Sequence, residues 1–406
     1  SKLGAKVTDA TSVLAYRVRG SAIEGASANA LAGIVSLDGK GDRLAIGHGD
    51  ETIAAGIFDW DDASSAWVKI EDSSITIKGS IVSMSGDGKT VVASPSISDI
   101  APLKGLDIAR SAVSDDGSES WALNSISSGY SMDGSTATFA AATVRITPID
   151  NVALSQTNRL VYGMPYANAN GRAGVGSIAL FEIVGDDPST VENEEEWKQS
   201  SEFTVGIDVG SGFGDHVAIS SDGNTIAASG RFANDLSYID GCPIVFLPKN
   251  GCPAPVTTTV SESFDPATRT GAVAVWRNFK GAYFNLGQVI KGALGSQLSY
   301  IDLSDDGSIL SVASPKSDEN GTDSGSIRVY SYDETGRVWR QLGNTINDVP
   351  VTVGEFGRHA LSGDGQVLVV TNSGGYGGAG LEQAGSVDAY RLVNGTWTRI
   401  GKRLSG

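Results

Sequence analysis

Three histidines, two cysteines and several serines next to aspartates are the residues of this 406-residue chain that could support catalysis or metal binding. Imidazole is a common general base and metal ligand, so a reactive centre would use His48, His216 or His359. His216 follows Phe213-Gly214-Asp215, and His359 follows Phe356-Gly357-Arg358. We interpret these two positions as equivalent, and a residue that recurs in two equivalent places indicates packing or a strand hydrogen bond.

Serines recur in a Ser-x-Asp-Gly pattern, as in Ser220-Ser221-Asp222-Gly223 and Ser362-Gly363-Asp364-Gly365. A serine hydroxyl in a turn usually bonds to nearby backbone, so these serines are not predicted nucleophiles, and no Ser-His-Asp set can be assembled from the sequence. Paired carboxylates for glycoside hydrolysis stay open as an alternative. We expect no enzymatic activity and no catalytic or cofactor-binding residue.

Two acidic loops are candidates for calcium binding, Asp318-Glu319-Asn320-Gly321-Thr322-Asp323 and Asp59-Trp60-Asp61-Asp62. Calcium needs six to eight converging oxygens, and the carboxylates of these loops are too few or wrongly spaced for that geometry. We therefore predict no metal site and no cofactor, with calcium as the alternative.

Cys242 and Cys252 occupy matching Gly-Cys-Pro sequences, which favours a local disulfide; two reduced thiols are the alternative. They lie in a proline-containing insertion, residues 235–267, which is either a contact surface or decoration without a role.

Asn320 and Asn394 begin Asn-Gly-Thr sequons and are candidate glycosylation sites. A disulfide and glycans indicate an oxidising compartment, and Ser1 suggests a processed amino terminus. We expect a secreted, cell-surface or organelle-lumen protein.

The spacing of the Asp-Gly turns organises the whole chain. Each turn lies between two short apolar segments, a strong β-hairpin pattern because glycine accepts the positive φ of a tight turn. The predicted inner hairpins run from Leu37 to Ile46, Met84 to Val92, Val113 to Leu123, Val152 to Val161, Ala218 to Ala227, Asp302 to Leu310 and Ala360 to Leu368. Helical patterning is nearly absent, so the fold class is all-β.

A second strand pair follows most inner hairpins. It begins with a Gly-x-apolar-x-apolar-aromatic segment, such as Gly271–Trp276 or Gly325–Tyr330, and continues with an aromatic residue. These aromatic residues are Trp67, Trp197, Tyr283, Trp339 and Trp397. Two hairpins make a four-stranded antiparallel sheet that is apolar on both faces, and such sheets bury their faces by stacking as the blades of a β-propeller. We predict one domain over residues 1–406, with about seven blades and a range of six to eight.

The amino terminus holds half of a repeat. Thr11–Arg17 matches Gly385–Arg391 but has no hairpin before it, so we interpret residues 11–25 as an orphan half-blade. It either closes the ring with a strand from the other terminus or pairs with another copy of the chain to build a polymer.

Phe213-Gly214 and Phe356-Gly357 precede inner hairpins, and three hairpins end in Val92-Ala93-Ser94-Pro95, Tyr162-Gly163-Met164-Pro165 and Val312-Ala313-Ser314-Pro315. This pattern resembles the FG-GAP repeat of integrin-α-like propellers, particularly the divergent Ser-x-Asp-Gly form of algal secreted or surface proteins. The resemblance implies a seven-bladed propeller that acts in adhesion, recognition or assembly, without catalytic residues. The calcium loops of that family are not matched here.

A formal net charge of −17 disfavours nucleic acid as a partner, and no apolar run is long enough to span a membrane. We predict a non-catalytic structural protein that self-assembles into a layer, fibre or shell, so its partner is another copy of itself. The alternative is a recognition module that binds another protein or a glycan through loops on one face, using the aromatic residues Tyr238, Tyr376 or Trp121.

Overall fold

The computed structural model describes residues 23, 32–48, 55–70, 81–94, 106–113, 119–126, 152–157, 159–165, 176–184, 196–203, 210–233, 268–347, 356–372 and 385–405. These ranges contain 26 β-strands. A search of the same residues finds no helix with the length and hydrophobicity to cross a membrane.

The strands form six antiparallel sheets within the described residues, and each sheet contains four strands in sequence order. The chain is therefore an all-β protein, a β-propeller of four-stranded blades, as predicted. The six blades fall within the predicted range of six to eight. Blades 4 and 5 each carry a fifth, two-residue strand that pairs with the third strand of the blade.

The strands of the first three blades have the following bounds. Blade 1 contains β1 (Ala32–Leu37), β2 (Arg43–His48), β3 (Gly56–Asp61) and β4 (Ala66–Lys69). Blade 2 contains β5 (Ile81–Met84), β6 (Thr90–Ser94), β7 (Leu106–Val113) and β8 (Glu119–Ile126). Blade 3 contains β9 (Val152–Leu154), β10 (Arg159–Met164), β11 (Ser177–Val184) and β12 (Glu196–Phe203).

The other three blades are the following. Blade 4 contains β13 (Phe213–Ile219), β14 (Thr225–Gly230), β15 (Ala272–Phe279), β16 (Ala282–Asn285) and β17 (Ile290–Lys291). Blade 5 contains β18 (Ile301–Leu303), β19 (Ile309–Ser314), β20 (Ser326–Asp333), β21 (Val338–Gln341) and β22 (Ile346–Asn347). Blade 6 contains β23 (Phe356–Leu361), β24 (Val367–Asn372), β25 (Ser386–Val393) and β26 (Thr396–Ser405).

The chain divides into two compact units. Blades 1 and 2 belong to the first unit and blades 4, 5 and 6 to the second, while the strands of blade 3 contribute to both. In the first unit, Ala45 and Ile57 of blade 1 share a buried cluster with Val82 and Val91 of blade 2. Burial of these apolar faces holds neighbouring blades together.

Apolar contacts between neighbouring blades also hold the second unit together. One buried cluster joins Val273 and Val275 of blade 4 to Leu303 and Leu310 of blade 5. Another joins Ile327 and Val329 of blade 5 to Leu368 and Val370 of blade 6. Alternate residues of each central strand point to opposite faces, so one strand can serve two neighbouring blades.

The Ser-x-Asp-Gly turns are locked by the serine hydroxyl, as the sequence predicts. The Ser220 hydroxyl donates to the Asp222 carboxylate at 2.6 Å and accepts the Thr225 backbone N–H at 2.8 Å. Ser85, Ser304 and Ser362 make the same two bonds in blades 2, 5 and 6. The hydroxyl therefore replaces a backbone partner at the point where each first hairpin reverses.

The same turns hydrogen-bond to their neighbours through the residue at position x. In the second unit the Ser221 N–H donates to the Asp305 carbonyl at 3.0 Å, and the Asp305 N–H donates to the Gly363 carbonyl at 2.8 Å. In the first unit the Gly39 N–H donates to the Gly86 carbonyl at 2.8 Å. We call this row of bonds the turn ladder; it joins neighbouring blades at the ends where their first hairpins turn.

Tryptophans on the outer strands join neighbouring blades of the second unit. The Trp339 indole N–H donates to the Leu286 carbonyl at 2.7 Å, and the Trp397 indole N–H donates to the Leu342 carbonyl at 2.9 Å. Leu286 and Leu342 follow the fourth strand of the preceding blade, and both tryptophans are buried. These are two of the aromatic residues that the sequence placed on outer strands.

One predicted inner hairpin has a different place in the fold. The segment from Val113 to Leu123 was expected to open a separate blade, but its strands, β7 and β8, pair with each other as the outer hairpin of blade 2. An Asp-Gly sequence specifies a reversal of the chain and not which strands of a blade it joins. This difference lowers the number of blades from about seven to the six seen in the described ranges.

Two other predicted segments lie outside the described ranges: the orphan half-blade, residues 11–25, and the insertion, residues 235–267.

We expect Ser220→Ala to lower the free energy of unfolding by about 1–3 kcal/mol, because Ser220 is fully buried and its loss leaves the Thr225 N–H without that acceptor. Urea unfolding measures the change. Asn224→Ala is the matched control: its amide bonds to the same Asp222 in an exposed position, so a change within about 0.5 kcal/mol is expected. Equal losses in both variants would contradict the proposed role of the hydroxyl.

Candidate functional site

The two ends of blades 4, 5 and 6 differ. The ladder turns lie at one end, which we call the turn end. We call the opposite end the loop end. The antiparallel strand pairs end there, at the paired residues Phe213 and Gly230, Ser314 and Ser326, and Asn372 and Ser386. The long connections 231–271, 315–325 and 373–385 all join strands at the loop end.

The insertion is anchored at the loop end of blade 4. The last described residue before it is Ala233 and the first after it is Thr268. The Thr270 hydroxyl donates to the Ala233 carbonyl at 3.2 Å, and Ala233 itself is fully buried. The two ends of the insertion are therefore joined at its base, beside the first residues of β13.

Three polar side chains meet in the buried interior next to this base. Asp215 and His216 belong to β13, and Ser299 precedes β18 of the next blade. The Ser299 hydroxyl donates to Asp215 Oδ2 at 3.1 Å and lies 3.3 Å from His216 Nδ1, which is 3.2 Å from the same carboxylate oxygen. All three residues are buried. The fold thus assembles a Ser-His-Asp set that we did not predict from the sequence.

The geometry of this set differs from that of a nucleophilic triad. In a triad the serine bonds to one ring nitrogen of the histidine and the carboxylate bonds to the other. Here Ser299 and Asp215 both lie beside Nδ1 of His216. The serine hydroxyl is thereby directed to the carboxylate, and its oxygen is not activated by the imidazole.

The carboxylate orients the His216 ring. An ionised carboxylate only accepts hydrogen bonds, so Nδ1 carries the proton that it donates to Asp215. Nε2 is buried and has no hydrogen-bond partner among the described residues. Of the two ring nitrogens, Nδ1 therefore holds the imidazole in place, and Nε2 is the one that the described residues leave without a hydrogen bond.

Asp215 is ionised despite its burial. Burial alone would raise its pKa, but the hydrogen bond and charge interaction with His216, the positive charge of Arg231 and the Ser299 hydroxyl hold the pKa below its usual value. Arg231 lies in the short segment between β14 and the insertion. The hydrogen bonds and the nearby positive charge offset the cost of burying this carboxylate.

A column of side chains crosses the loop ends of three blades. His216, Tyr300 and Arg358 each lie four residues before the turn serine of their blade. The His216 and Tyr300 rings meet edge to face with centroids 4.4 Å apart, and the Arg358 guanidinium lies 4.9 Å from the centroid of Tyr300. Edge-to-face and cation–π contacts of this kind stabilise neighbouring groups.

His216 and His359 are not equivalent, which corrects the sequence interpretation. Blade 4 has one more residue than blade 6 between Phe-Gly and the turn, and the register of β13 shifts between Phe213 and Val217. His359 therefore matches Val217 in the fold. Its Nδ1 lies 2.7 Å from the Gly357 carbonyl and its Nε2 lies 2.8 Å from the Ser311 hydroxyl. The expected hydrogen-bonding role holds for His359.

The acidic loops use their carboxylates within the protein. Asp318 accepts the Asp323 backbone N–H at 2.7 Å, and Glu319 forms an ion pair with Arg328. In the other loop, Asp61 accepts the backbone N–H groups of Ala63 and Ser64, and its pKa is lowered by the Ser64 hydroxyl and by both of these N–H groups. No cluster of three metal-binding side chains occurs in the residues that the structure describes.

The remaining predicted contact residues have mixed outcomes. Trp121 was expected to be exposed and is buried, because it packs with blade 1 and the Arg43 guanidinium lies 5.5 Å from its ring. Tyr238, Tyr376, Cys242 and Cys252 lie outside the described residues.

The two candidate glycosylation sites are both exposed. Asn320 lies in a loop-end connection, and Asn394 lies at the turn end, with a φ of 50°. Glycosylation at either asparagine stays a prediction.

Solved propellers are similar to this chain over most of its length. A structure named as a putative 6-phosphogluconolactonase from Bacteroides fragilis is 14% identical, with a TM-score of 0.53, covering 91% of this chain and 83% of that one. A protein with the same name from Bacteroides uniformis is 13% identical, with a TM-score of 0.52, and the alignment covers 90% and 82%. A functionally unknown protein from Desulfotomaculum acetoxidans is 8% identical, with a TM-score of 0.50, and the alignment covers 92% and 88%.

No protein-family model matches the sequence, and no curated protein matches it. The propeller part of the predicted resemblance is confirmed, while its FG-GAP part has no support from a family model. At these identities the similarity shows the fold alone. The chain is defined as a β-propeller by its blades and by these structures.

The expectation that the chain is not an enzyme is wrong. It rested on the absence of a catalytic pattern in a propeller, whereas two similar propellers are named as putative 6-phosphogluconolactonases. This fold therefore does not exclude catalysis. In addition, the serine, histidine and aspartate that the sequence seemed unable to bring together are in contact.

Asp215→Asn is expected to lower the free energy of unfolding by about 1–3 kcal/mol at neutral pH, because it removes a buried carboxylate that accepts hydrogen bonds from the Ser299 hydroxyl and from His216 Nδ1. The folded pKa of Asp215 lies below the ordinary value of about 3.9, so its stabilisation is present above about pH 4 and is lost as the pH falls through the folded pKa. Urea unfolding at pH 7 and pH 3 measures both effects. Asp305→Asn, in an exposed turn, is the control, and an equal loss there contradicts the prediction.

Proposed function

We propose that the protein is a recognition module that binds a glycan or a protein through the loop end of blades 4, 5 and 6. The observation that carries this proposal is the asymmetry of these blades. The turn end is closed by short turns that bond to each other, whereas every long connection leaves from the loop end. Binding residues are commonly found on loops that a rigid scaffold positions.

The chemistry of the loop end supports the proposal. Arg231 and Phe232 are half-buried just before the insertion, and the guanidinium of Arg231 lies 5.9 Å from the Phe232 ring. Arginine and aromatic residues are enriched at binding hot spots. The adhesion or recognition role that the FG-GAP resemblance implies agrees with this use of the fold. The blade asymmetry and the Arg231–Phe232 pair support a binding role whether or not the protein also catalyses a reaction.

Replacing residues 235–266 by a short glycine-serine linker is expected to abolish binding detected on a glycan array or in a partner pull-down. The ends of the insertion are already held together by the Thr270 to Ala233 bond, so a short linker can close this gap. A matched control inserts the same linker into the Asn394-Gly395 turn at the opposite end of blade 6, where binding should be unchanged.

Two outcomes would contradict the recognition proposal. One is full binding by the shortened protein, or equal loss in the turn-end control. The other is turnover of 6-phosphogluconolactone by the wild-type protein in the absence of any array or pull-down partner, which would favour an enzymatic function.

Self-assembly is the second candidate, and the exposed apolar side chains of β1 favour it. The Ser36 hydroxyl accepts the Met84 N–H at 3.0 Å, so that face of β1 contacts blade 2. Val35 and Leu37 point to the other face and are each 53% exposed. In a propeller such a face packs against another blade, and the blade of a second copy has the chemistry to cover it.

Val35→Lys combined with Leu37→Lys is expected to convert a self-associating wild type into a monomer, because two charges on this face oppose its burial. Sedimentation velocity at rising protein concentration measures the state of assembly. Leu123→Lys, an exposed residue of β8, is the control and should assemble like the wild type. A wild-type protein that stays monomeric at the highest concentration would refute this candidate.

A further inference from the structure

Blade 6 carries an apolar face that is only partly covered. In this face Val369 pairs with Ala389, and both are half-buried, while Leu404 is 56% exposed. The corresponding pair in blade 4 is Ala227 with Val275, and blade 5 packs on that pair and buries it. The positions that form the core between blades 4 and 5 are thus accessible in blade 6. We call these residues the blade 6 face: Ala360, Val369, Ala389, Ile400 and Leu404.

Blade 1 carries the opposite kind of face, the one that receives a preceding blade. Leu37 pairs with Leu44, as Leu303 pairs with Leu310 in blade 5. Leu303 and Leu310 are buried against blade 4, whereas Leu37 is 53% exposed. We call these residues the blade 1 face: Val35, Leu37, Ile46, Phe58 and Trp60.

The turn ladder has a direction, and its two ends are complementary. In each of its bonds an N–H donates to the carbonyl of the following blade: Gly39 to Gly86, Ser221 to Asp305 and Asp305 to Gly363. Among the described turns, the Gly363 N–H donates to none and the Gly39 carbonyl accepts from none. Gly363 is half-buried and Gly39 is exposed. Blade 6 therefore offers a backbone donor where blade 1 offers a backbone acceptor.

An arginine marks the contact between blades 4 and 5. The Arg277 guanidinium forms an ion pair with Glu334 at 2.6 Å and lies 5.5 Å from the centroid of the Tyr332 ring. Arg277 belongs to the third strand of blade 4, and both of its partners belong to blade 5. A cation, an aromatic ring and a carboxylate thus meet where the two blades pack.

Blades 6 and 1 hold the two halves of the same arrangement. Arg391 pairs with Val367 in blade 6, as Arg277 pairs with Thr225 in blade 4, so the two arginines correspond. In blade 1, Trp60 has the position of Tyr332, and Asp62 follows it by two residues as Glu334 follows Tyr332. Arg391 is half-buried and Asp62 is exposed. The charges of the two faces are therefore complementary as well.

We propose that the blade 6 face of one copy of the chain packs on the blade 1 face of a second copy. Both faces are accessible in the single chain, so we assign their covering to another molecule, and apolar surface, backbone bonds and charge all fit this one occupant. Two different surfaces meet, so the contact is head-to-tail and leaves a free face at each end for further copies. The inference rests on the second candidate function, self-assembly, and names both halves of its interface.

Two variants that each block one face test the proposal by complementation. Val35→Lys with Leu37→Lys blocks the blade 1 face, and Ala360→Lys with Leu404→Lys blocks the blade 6 face; all four side chains are exposed. Each variant alone is expected to be a monomer in sedimentation velocity. An equimolar mixture is expected to form a dimer and nothing larger, because one intact face of each kind remains.

A matched control carries two lysines outside both faces. Leu123→Lys with Leu294→Lys replaces exposed side chains of the same kind and should assemble like the wild type. Urea unfolding of every variant checks that the fold is kept. A mixture that stays monomeric overturns the proposal. Assembly of the blade 6 variant by itself also overturns it, because the contact would then join two copies of the blade 1 face.

Reversing the charges provides a second test that leaves both apolar faces unchanged. Arg391→Glu is expected to weaken association about fivefold, because it brings two negative charges together at the contact. Adding Asp62→Arg in the same chain should restore the affinity, since every contact then has opposite charges again. Arg337→Glu, in an exposed turn of blade 5, changes the net charge equally and should have no effect. Loss without restoration contradicts the proposed register of the two blades.

The outcomes separate this inference from the function on which it rests. If the wild type assembles but the two blocked variants do not complement each other, self-assembly stands and the head-to-tail contact fails. If the wild type is a monomer at the highest concentration, both fail.

Discussion

The hydrogen bonds of the Ser-x-Asp-Gly turns are the interaction on which the rest of this fold depends. One serine hydroxyl closes each turn by bonding to both an aspartate and a backbone N–H, and the residue beside it bonds to the next turn. The Asp364 carboxylate shows how well this arrangement holds an anion: its pKa is lowered by the Ser362 hydroxyl and by the Gln366 backbone N–H. The polar groups of each turn are thus satisfied within the turn itself, at the point where the first hairpin reverses.

This arrangement separates the two ends of the blades. At the turn end, the turns of the first hairpins are restricted in length, because an added residue would displace the bonds between Ser221, Asp305 and Gly363. The loop end has no such restriction, and the connections there range from the short segment 315–325 to the long insertion after Ala233. The length of the connections therefore differs between blades at the loop end, where the proposed binding surface lies.

The sequence predicts the repeated parts of this fold well, because a turn and its two strands are specified within about ten residues. The hairpins around Asp222, Asp306 and Asp364 formed as expected, and Trp339 and Trp397 lie on outer strands. The hairpin around Asp116 was assigned to the wrong place, since local sequence does not state which strand of a blade a hairpin supplies. Trp121 was predicted to be exposed because its contacts are also not visible in the local sequence: the Arg43 guanidinium that lies over its ring belongs to another blade.

The candidate site was missed because its members meet through the fold. Aligning His216 with His359 on the preceding Phe-Gly ignored the extra residue in β13, whereas counting back from the turn serine places His216 beside Tyr300 and Arg358. Ser299 has no motif of its own, and only the packing of blade 5 on blade 4 brings it to Asp215.

The expectation that the protein has no enzymatic activity was wrong for a related reason: it relied on motifs within one stretch of sequence. A catalytic or binding set drawn from different blades leaves no spacing in the sequence, so its absence from the sequence is weak evidence. What the blades do determine is the orientation of the imidazole. Two groups, the Asp215 carboxylate and the Ser299 hydroxyl, lie beside Nδ1 and none of the described residues bonds to Nε2. The contact between blades 4 and 5 therefore holds the imidazole through Nδ1, in an arrangement that no spacing in the sequence reveals.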